Sequence, residues 1–249
     1  MIVTTQFVDA PGPAGPIRCL VARPHVEGRT FPAVVVWSDV FQCTPPHERL
    51  VRRLAGHGFV VVSPEHYGRH EPLGTVFDFE QGRERALQAA DAMTVAELDA
   101  DRRAVLDFVP RIPGVVPGAI GAWGFCYGGH LAFRAAFEPE VKATVCCYGT
   151  GLHNGKLGTC DGVRTHAGSL ERAGEIHGEL LLVWGRNDPH IPAEGRTKIH
   201  AALDSAGVRS EARLFGADHA FMRDVGPRYD PAAADEAFAA TVACFRRAL

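Results

Sequence analysis

The segment of this chain richest in chemical potential is Gly124-Phe125-Cys126-Tyr127-Gly128, a G-x-C-x-G pattern. It directly follows the apolar run Ala119 to Trp123 and directly precedes a segment of helical periodicity. At such a strand-to-helix turn the central residue sits in a strained backbone conformation that lifts its side chain above the sheet edge, so both flanks must be small. A thiol in that place is a nucleophile, and the positive end of the following helix favours its thiolate form. The amide N–H of Tyr127 is well placed to receive an oxyanion.

Two further segments supply partners. Gly185-Arg186-Asn187-Asp188-Pro189 follows the apolar run Leu180 to Trp184, and Gly216-Ala217-Asp218-His219-Ala220-Phe221 follows the run that ends at Phe215. Taken singly, each is ordinary: a buried cysteine at a glycine-rich turn, an aspartate in a turn, a histidine in a loop. Together they give nucleophile, acid and histidine in the order used by α/β sheets whose active sites lie at the carboxyl ends of the strands. The spacing therefore predicts Cys126 as nucleophile, His219 as base and Asp188 as the acid that orients it. His190 is too close to Asp188 in sequence to be preferred as base, and Asp218 adjoins the base it would have to orient. His66 and His70 have the spacing of helical metal ligands, but Tyr67-Gly68-Arg69 between them reads as a loop, so they are expected at the surface or lining a pocket.

The elements that must carry these loops are legible from short β-branched runs that alternate with helical periodicity. Strands are predicted at Ala33 to Trp37, Phe59 to Ser63, Ala119 to Trp123, Val141 to Tyr148, Leu180 to Trp184 and Glu211 to Phe215. Helices are predicted at Pro46 to Gly56, Thr94 to Val109, Tyr127 to Phe137, Ala193 to Ala206 and Pro231 to Ala248. Thr94 with Glu97 forms a capping-box pattern, and Asp230 precedes a first-turn proline. Ile17 to Ala22 is expected in an antiparallel pair before the parallel portion begins. The pattern predicts an α/β class, a mainly parallel central sheet with helices on both faces. Residues Gly149 to Gly178, polar and rich in turn formers, are expected to form a long surface excursion.

A chain of 249 residues with 46% hydrophobic and 22% charged residues can bury one substantial core, and no linker or repeat divides it, so 1–249 is expected to form a single domain. The net charge of −3 and the lack of basic runs speak against nucleic acid or an anionic membrane, leaving a small molecule as the expected partner. With neither a signal-like segment nor an apolar stretch of spanning length, a cytoplasmic location is expected. The seven cysteines are odd in number and mostly in apolar segments, which points to reduced thiols. Cys146-Cys147 is not a C-x-x-C pair, and no metal or cofactor is called for. Oligomeric state is open between a monomer and a small homo-oligomer.

Gly-Phe-Cys-Tyr-Gly-Gly at 124 to 129, Gly-Arg-Asn-Asp at 185 to 188 and Asp-His-Ala-Phe at 218 to 221 resemble the dienelactone hydrolase family, the cysteine-dependent branch of the α/β hydrolases. The resemblance runs from about Ala33 to Phe245, and Ser63 to Arg69 follows the family's stretch after an early buried strand, with Glu65 where an aspartate is usual. It implies an α/β-hydrolase fold and a carboxymethylenebutenolidase-like enzyme that opens lactones or esters through a thioester. It also implies a thiol-gating acid at Asp39, although Ser38-Asp39 here replaces the family's Gln-Glu and shortens the acid by one methylene. The amide of Val40 would be the second oxyanion donor, and Arg83 and Arg223 would hold a substrate carboxylate. Gly82-Arg83-Glu84-Arg85 also reads as an ordinary charged helix face, whereas the spacing of Arg223 from His219 follows the family pattern.

Two rivals stand beside the hydrolase. An isomerase or cyclase could keep the fold and an acid–base pair without net hydrolysis, and the departures at Ser38 and Asp39 keep that reading open. A noncatalytic small-molecule binder on the same scaffold would be expected to have an incomplete triad, which this sequence does not show.

Overall fold

The computed structural model describes residues 2–158 and 167–249. Its centre is an eight-stranded sheet of β1 (Val3–Gly12), β2 (Gly15–Pro24), β3 (Phe31–Trp37), β4 (Val60–Pro64), β5 (Val115–Phe125), β6 (Val141–Cys147), β7 (Glu179–Gly185) and β8 (Ser210–Phe215). The spatial order is β1-β2-β4-β3-β5-β6-β7-β8. The β1–β2 and β2–β4 pairs are antiparallel, with Ile17 to Ala22 paired as the sequence leads one to expect, and the rest of the sheet is parallel.

The central strands are the runs without polar alternation, because a parallel strand covered on both faces must be apolar on both. Val34, Val35 and Val36 of β3 and Val60, Val61 and Val62 of β4 are buried without exception. The period of two along β5 separates the two covering layers. A side chain on Gly121 would collide with Phe245, and Trp123 packs against Phe238, both from α6 (Pro231–Ala248). Gly124 faces the other way, against the first turn of α4 (Tyr127–Ala135). Beside α6 lies α1 (Pro45–Ala55), whose Arg53 reaches Asp235 at 2.9 Å. Beside α4 lies α3 (Val95–Phe108), joined to it through Asp99 and Arg134.

The predicted caps are present. Thr94 and Glu97 form the reciprocal capping box of α3, and the Asp230 carboxylate accepts from the Ala233 amide at 3.0 Å to start α6. Two more helices complete the described fold, α2 (Arg83–Ala92) and α5 (Ala193–Ser205). The segment Gly149 to Gly178 is not simply a surface excursion. Leu152, Leu157, Leu170, Ala173 and Ile176 are buried, so its apolar residues turn back into the protein, while 159–166 lie outside the described residues. Among the described residues no helix is long and apolar enough to cross a membrane.

Candidate active site

Cys126 stands between β5 and α4 with φ 55° and ψ −117°, a conformation that a non-glycine residue adopts only when its surroundings impose it. Those surroundings are visible. The Cys126 amide donates to the Cys147 carbonyl at 3.0 Å, and its carbonyl accepts from the amides of Gly129 and Thr150, both at 3.0 Å. The flanking glycines are required by close approach: a Cβ on Gly124 would lie 1.9 Å from the Gly128 carbonyl oxygen, and one on Gly128 would lie 2.2 Å from that of Ser38. The sulfur remains half-buried and lies 4.0 Å from Oγ1 of Thr150, a neighbour that the sequence patterns did not single out.

The loops after β7 and β8 bring Asp188 and His219 together. Nδ1 of His219 lies 2.7 Å from Oδ2 of Asp188, and both side chains are buried. Burial by itself would push the His219 imidazole down, but negative charge on Cys126 and hydrogen bonds to Asp188 and Cys126 outweigh it and push it up to about 9. Burial likewise opposes the charge of Asp188, yet the hydrogen bond and charge of His219 hold its carboxyl below the ordinary aspartate range. The second oxygen, Oδ1, accepts from the backbone amide of His190 at 2.8 Å. His190 thus helps to fix the acid, and its ring meets that of His219 edge-on at 4.7 Å. Asp218 is exposed, so the acid next in sequence to the histidine is not the one that meets it.

Cys126 and His219 open into a cavity of about 840 Å³, which Asp39, Val40, Tyr127, Arg83 and Arg223 also line. Every residue singled out for chemistry in the sequence therefore lies on this one cavity or, as with Asp188, directly behind it. Oδ1 of Asp39 accepts from the Phe41 amide at 2.9 Å, and its Oδ2 lies 3.8 Å from the Arg223 guanidinium. Burial raises the Asp39 carboxyl above the usual range against the opposing pull of the Phe41 N–H and of Arg223. The Arg223 guanidinium also lies over the Phe79 ring at 4.1 Å, and its Nε is buried without a hydrogen-bond partner among the described residues. Arg83 is exposed at the start of α2, and its charge falls on His190 together with that of Arg228, a pocket cation that sequence reasoning missed.

His66 departs from expectation: it neither sits at the surface nor lines the cavity. It is buried beneath the end of β3, with Nε2 at 2.9 Å from Oγ of Ser38 and 3.1 Å from the Ser38 carbonyl oxygen. Its lack of charge there has a cause, since burial pushes the imidazole down to about 4 despite the opposing hydrogen bond to Ser38. His70 is exposed, 3.7 Å from Glu97.

Comparison with known proteins shows the family of the sequence and the likeness of its fold. The model of the dienelactone hydrolase family matches residues 17–249. A putative carboxymethylenebutenolidase of Saccharomyces cerevisiae is 31% identical over 233 residues, which cover 90% of this chain and 84% of that protein. A carboxymethylenebutenolidase of a Pseudomonas species is 30% identical over 218 residues, 87% of this chain and 84% of that one. Among solved structures, a putative dienelactone hydrolase from Klebsiella pneumoniae superposes with a TM-score of 0.84 at 24% identity, covering 99% of this chain and 100% of that chain. A dienelactone hydrolase-like promiscuous phosphotriesterase from metagenomic libraries superposes at 0.78 with 22% identity, covering 100% and 99%. At those identities the structural likeness is one of fold.

Proposed function

The chain belongs to the dienelactone hydrolase family, and from that premise we propose that it hydrolyses a lactone or ester, preferentially one bearing a carboxylate, with Cys126 as nucleophile. The observation that carries the reading is the His219–Asp188 contact of 2.7 Å behind a cysteine held in the left-handed turn. A buried histidine fixed at Nδ1 presents Nε2 for proton transfer, and the cysteine beside it supplies the attacking atom.

In this mechanism the Cys126 thiolate attacks the carbonyl carbon, forming a C–S bond and a tetrahedral oxyanion that the amides of Val40 and Tyr127 receive. Collapse breaks the C–O bond, and the departing oxygen takes its proton from the His219 imidazolium. In a lactone that oxygen stays tethered to the acyl group. Water then attacks the thioester, His219 takes the water's proton, and rupture of the C–S bond releases the acid and regenerates the thiolate. Asp188 keeps the imidazole in the productive tautomer throughout.

Asp39 is assigned the gating role. Its raised carboxyl is better suited than that of an exposed aspartate to hold a proton on the cavity wall that it shares with Cys126, and Arg223 can leave it to meet a substrate carboxylate. Arg223 is the stronger of the two carboxylate candidates because it lines the cavity within 3.8 Å of Asp39, whereas Arg83 is exposed. Arg83 lies on the side where its charge reaches His190, and is assigned the outer end of the substrate.

The test is ring opening of a dienelactone followed by ultraviolet absorbance, with an aryl ester in parallel, for wild type and Cys126→Ala. Mass spectrometry of the quenched enzyme reads the thioester, and the product mass reads the added water. Activity lost in Cys126→Ala, with an acyl group on Cys126 in wild type, supports the reading. A product equal in mass to its substrate identifies isomerisation instead.

A further inference from the structure

Val40 carries the amide assigned to the oxyanion, and its peptide unit begins with the Asp39 carbonyl. That carbonyl is not idle: Oγ of Ser38 lies 3.2 Å from it and donates to it. Ser38 is in turn met by His66, whose Nε2 faces both the Ser38 hydroxyl and the Ser38 carbonyl oxygen. A carbonyl oxygen can only accept, so Nε2 must carry the hydrogen, and the Ser38 proton is thereby left free to point at Asp39. All the connecting side chains are buried, with Ser38 1% and His66 5% exposed, so water does not compete for these bonds.

We propose that His66 and Ser38 are positioning residues for the oxyanion site, forming a relay from His66 Nε2–H through the Ser38 hydroxyl to the Asp39 carbonyl that orients and polarises the Asp39–Val40 peptide. The relay rests on the assignment of the Val40 amide as oxyanion donor. Hydrogen bonding at a peptide oxygen strengthens donation by the N–H of the same unit, and it fixes the peptide plane before charge develops.

Three further features brace the same loop. The His66 amide donates to Oε1 of Gln42 at 2.8 Å, and Nε2 of Gln42 donates to the Thr75 carbonyl at 2.8 Å. Gln42 holds φ 68°, which these two bonds maintain against its intrinsic preference. From the other side, the first turn of α4 rests on the Ser38 carbonyl at Gly128, where a Cβ would lie only 2.2 Å away. The loop bearing Val40 is thus clamped between His66 and the turn that bears Cys126. The rings of Tyr67 and Tyr127 flank His66 at 5.7 and 5.9 Å and close its surroundings.

The experiment compares Ser38→Ala, His66→Leu and His66→Gln with wild type, the last keeping an N–H donor. Steady-state hydrolysis of an aryl ester gives kcat and KM. Alkylation of Cys126 by iodoacetamide, read by peptide mass spectrometry, reports a reaction of the same thiol that develops no oxyanion. Ser38→Ala and His66→Leu are expected to lower kcat about ten-fold, short of the about hundred-fold loss when an oxyanion donor is removed outright. KM and the alkylation rate stay within about two-fold of wild type, and His66→Gln recovers most of kcat. Wild-type kcat in Ser38→Ala overturns the relay, as does an alkylation rate that falls in step with kcat, which would mark a general loss of structure. If wild type is alkylated at Cys126 but hydrolyses no ester or lactone, the hydrolase reading fails and the relay with it. If wild type hydrolyses and Ser38→Ala matches it, the relay alone fails.

Discussion

Nδ1 of His219 lies 2.7 Å from Oδ2 of Asp188, although the two residues come from loops after different strands. The contact ties stability to pH with a definite sign. Burial disfavours the imidazolium, but charge on Cys126 and the hydrogen bonds to Asp188 and Cys126 prevail and raise His219 from 6.5 to about 9. A raised histidine stabilises the folded state fully below its unfolded value and ceases to do so as pH rises through its folded value. The thermal midpoint of wild type is therefore expected to fall between about pH 6.5 and 9. In Cys126→Ala, where the charge that favours the imidazolium is gone, the same interval is expected to show a shallower fall. Scanning calorimetry of both proteins at several pH values checks this, and parallel curves would refute the coupling.

A second expectation concerns Arg223, which is 3.8 Å from Asp39, stacked on Phe79 and left with an unpaired Nε. A guanidinium so placed can meet a carboxylate with two parallel donors, which a neutral ester does not exploit. Arg223→Ala is expected to raise KM for a carboxylate-bearing lactone about ten-fold or more, the effect of losing a charge-assisted hydrogen bond. KM for a neutral aryl ester is expected to change little. Paired kinetics on the two substrates decide it, since equal losses on both would assign Arg223 to the architecture of the loop and not to recognition.

The triad was legible because each member adjoins the end of an apolar strand, and a strand's end fixes the position of the loop that follows. Periodicity identified β3, β5, β6 and β7 for the same reason: strands buried on both faces leave unbroken apolar runs. Helix α2 escaped the periodicity. Its buried residues are only Ala86, Ala89 and Ala90, too small to mark an apolar face, and Gly82 provides no side-chain cap. The contact of Ser38 with His66 was equally hidden, because it joins residues 28 apart through the lateral pairing of β3 with β4, which local pattern does not encode. The misplacement of His66 has the same origin. Its flanks read as a loop, and nothing in Tyr67-Gly68-Arg69 signals that the loop begins under a neighbouring strand. Gly149 to Gly178 misled through composition, since its few leucines, not its many polar residues, decide where the chain runs.

The helix that follows the nucleophile is anchored by a buried ionic network, and this gives the last expectation. Nε of Arg134 on α4 donates to Oδ1 of Asp99 on α3 at 2.8 Å, and Nη1 of Arg102 reaches the same oxygen at 2.5 Å. The two arginine side chains are only 3% and 5% exposed. Burial opposes the charge of Asp99, but these guanidinium groups overcome it and hold the carboxyl below its ordinary range. Arg134 keeps the Ala167 carbonyl and the Ser169 hydroxyl in the absence of Asp99, and Arg102 keeps Glu138, so those hydrogen bonds would survive while the carboxylate that both guanidinium groups meet directly would be lost. Removing one partner of a buried pair costs about 3 kcal/mol, because the remaining charge stays buried. For a chain of this length that is a fall in Tm of roughly 6–12 °C for Asp99→Asn at pH 7. The sign of the pH dependence follows from the depressed carboxyl: its contribution is present above the unfolded aspartate value and is lost as pH falls through the lower folded value. The gap between wild type and Asp99→Asn is therefore expected to hold constant from neutrality to mildly acidic pH and to narrow only below about pH 4. Thermal unfolding across that range checks both statements, and a gap that is absent at pH 7 would show that the remaining partners suffice.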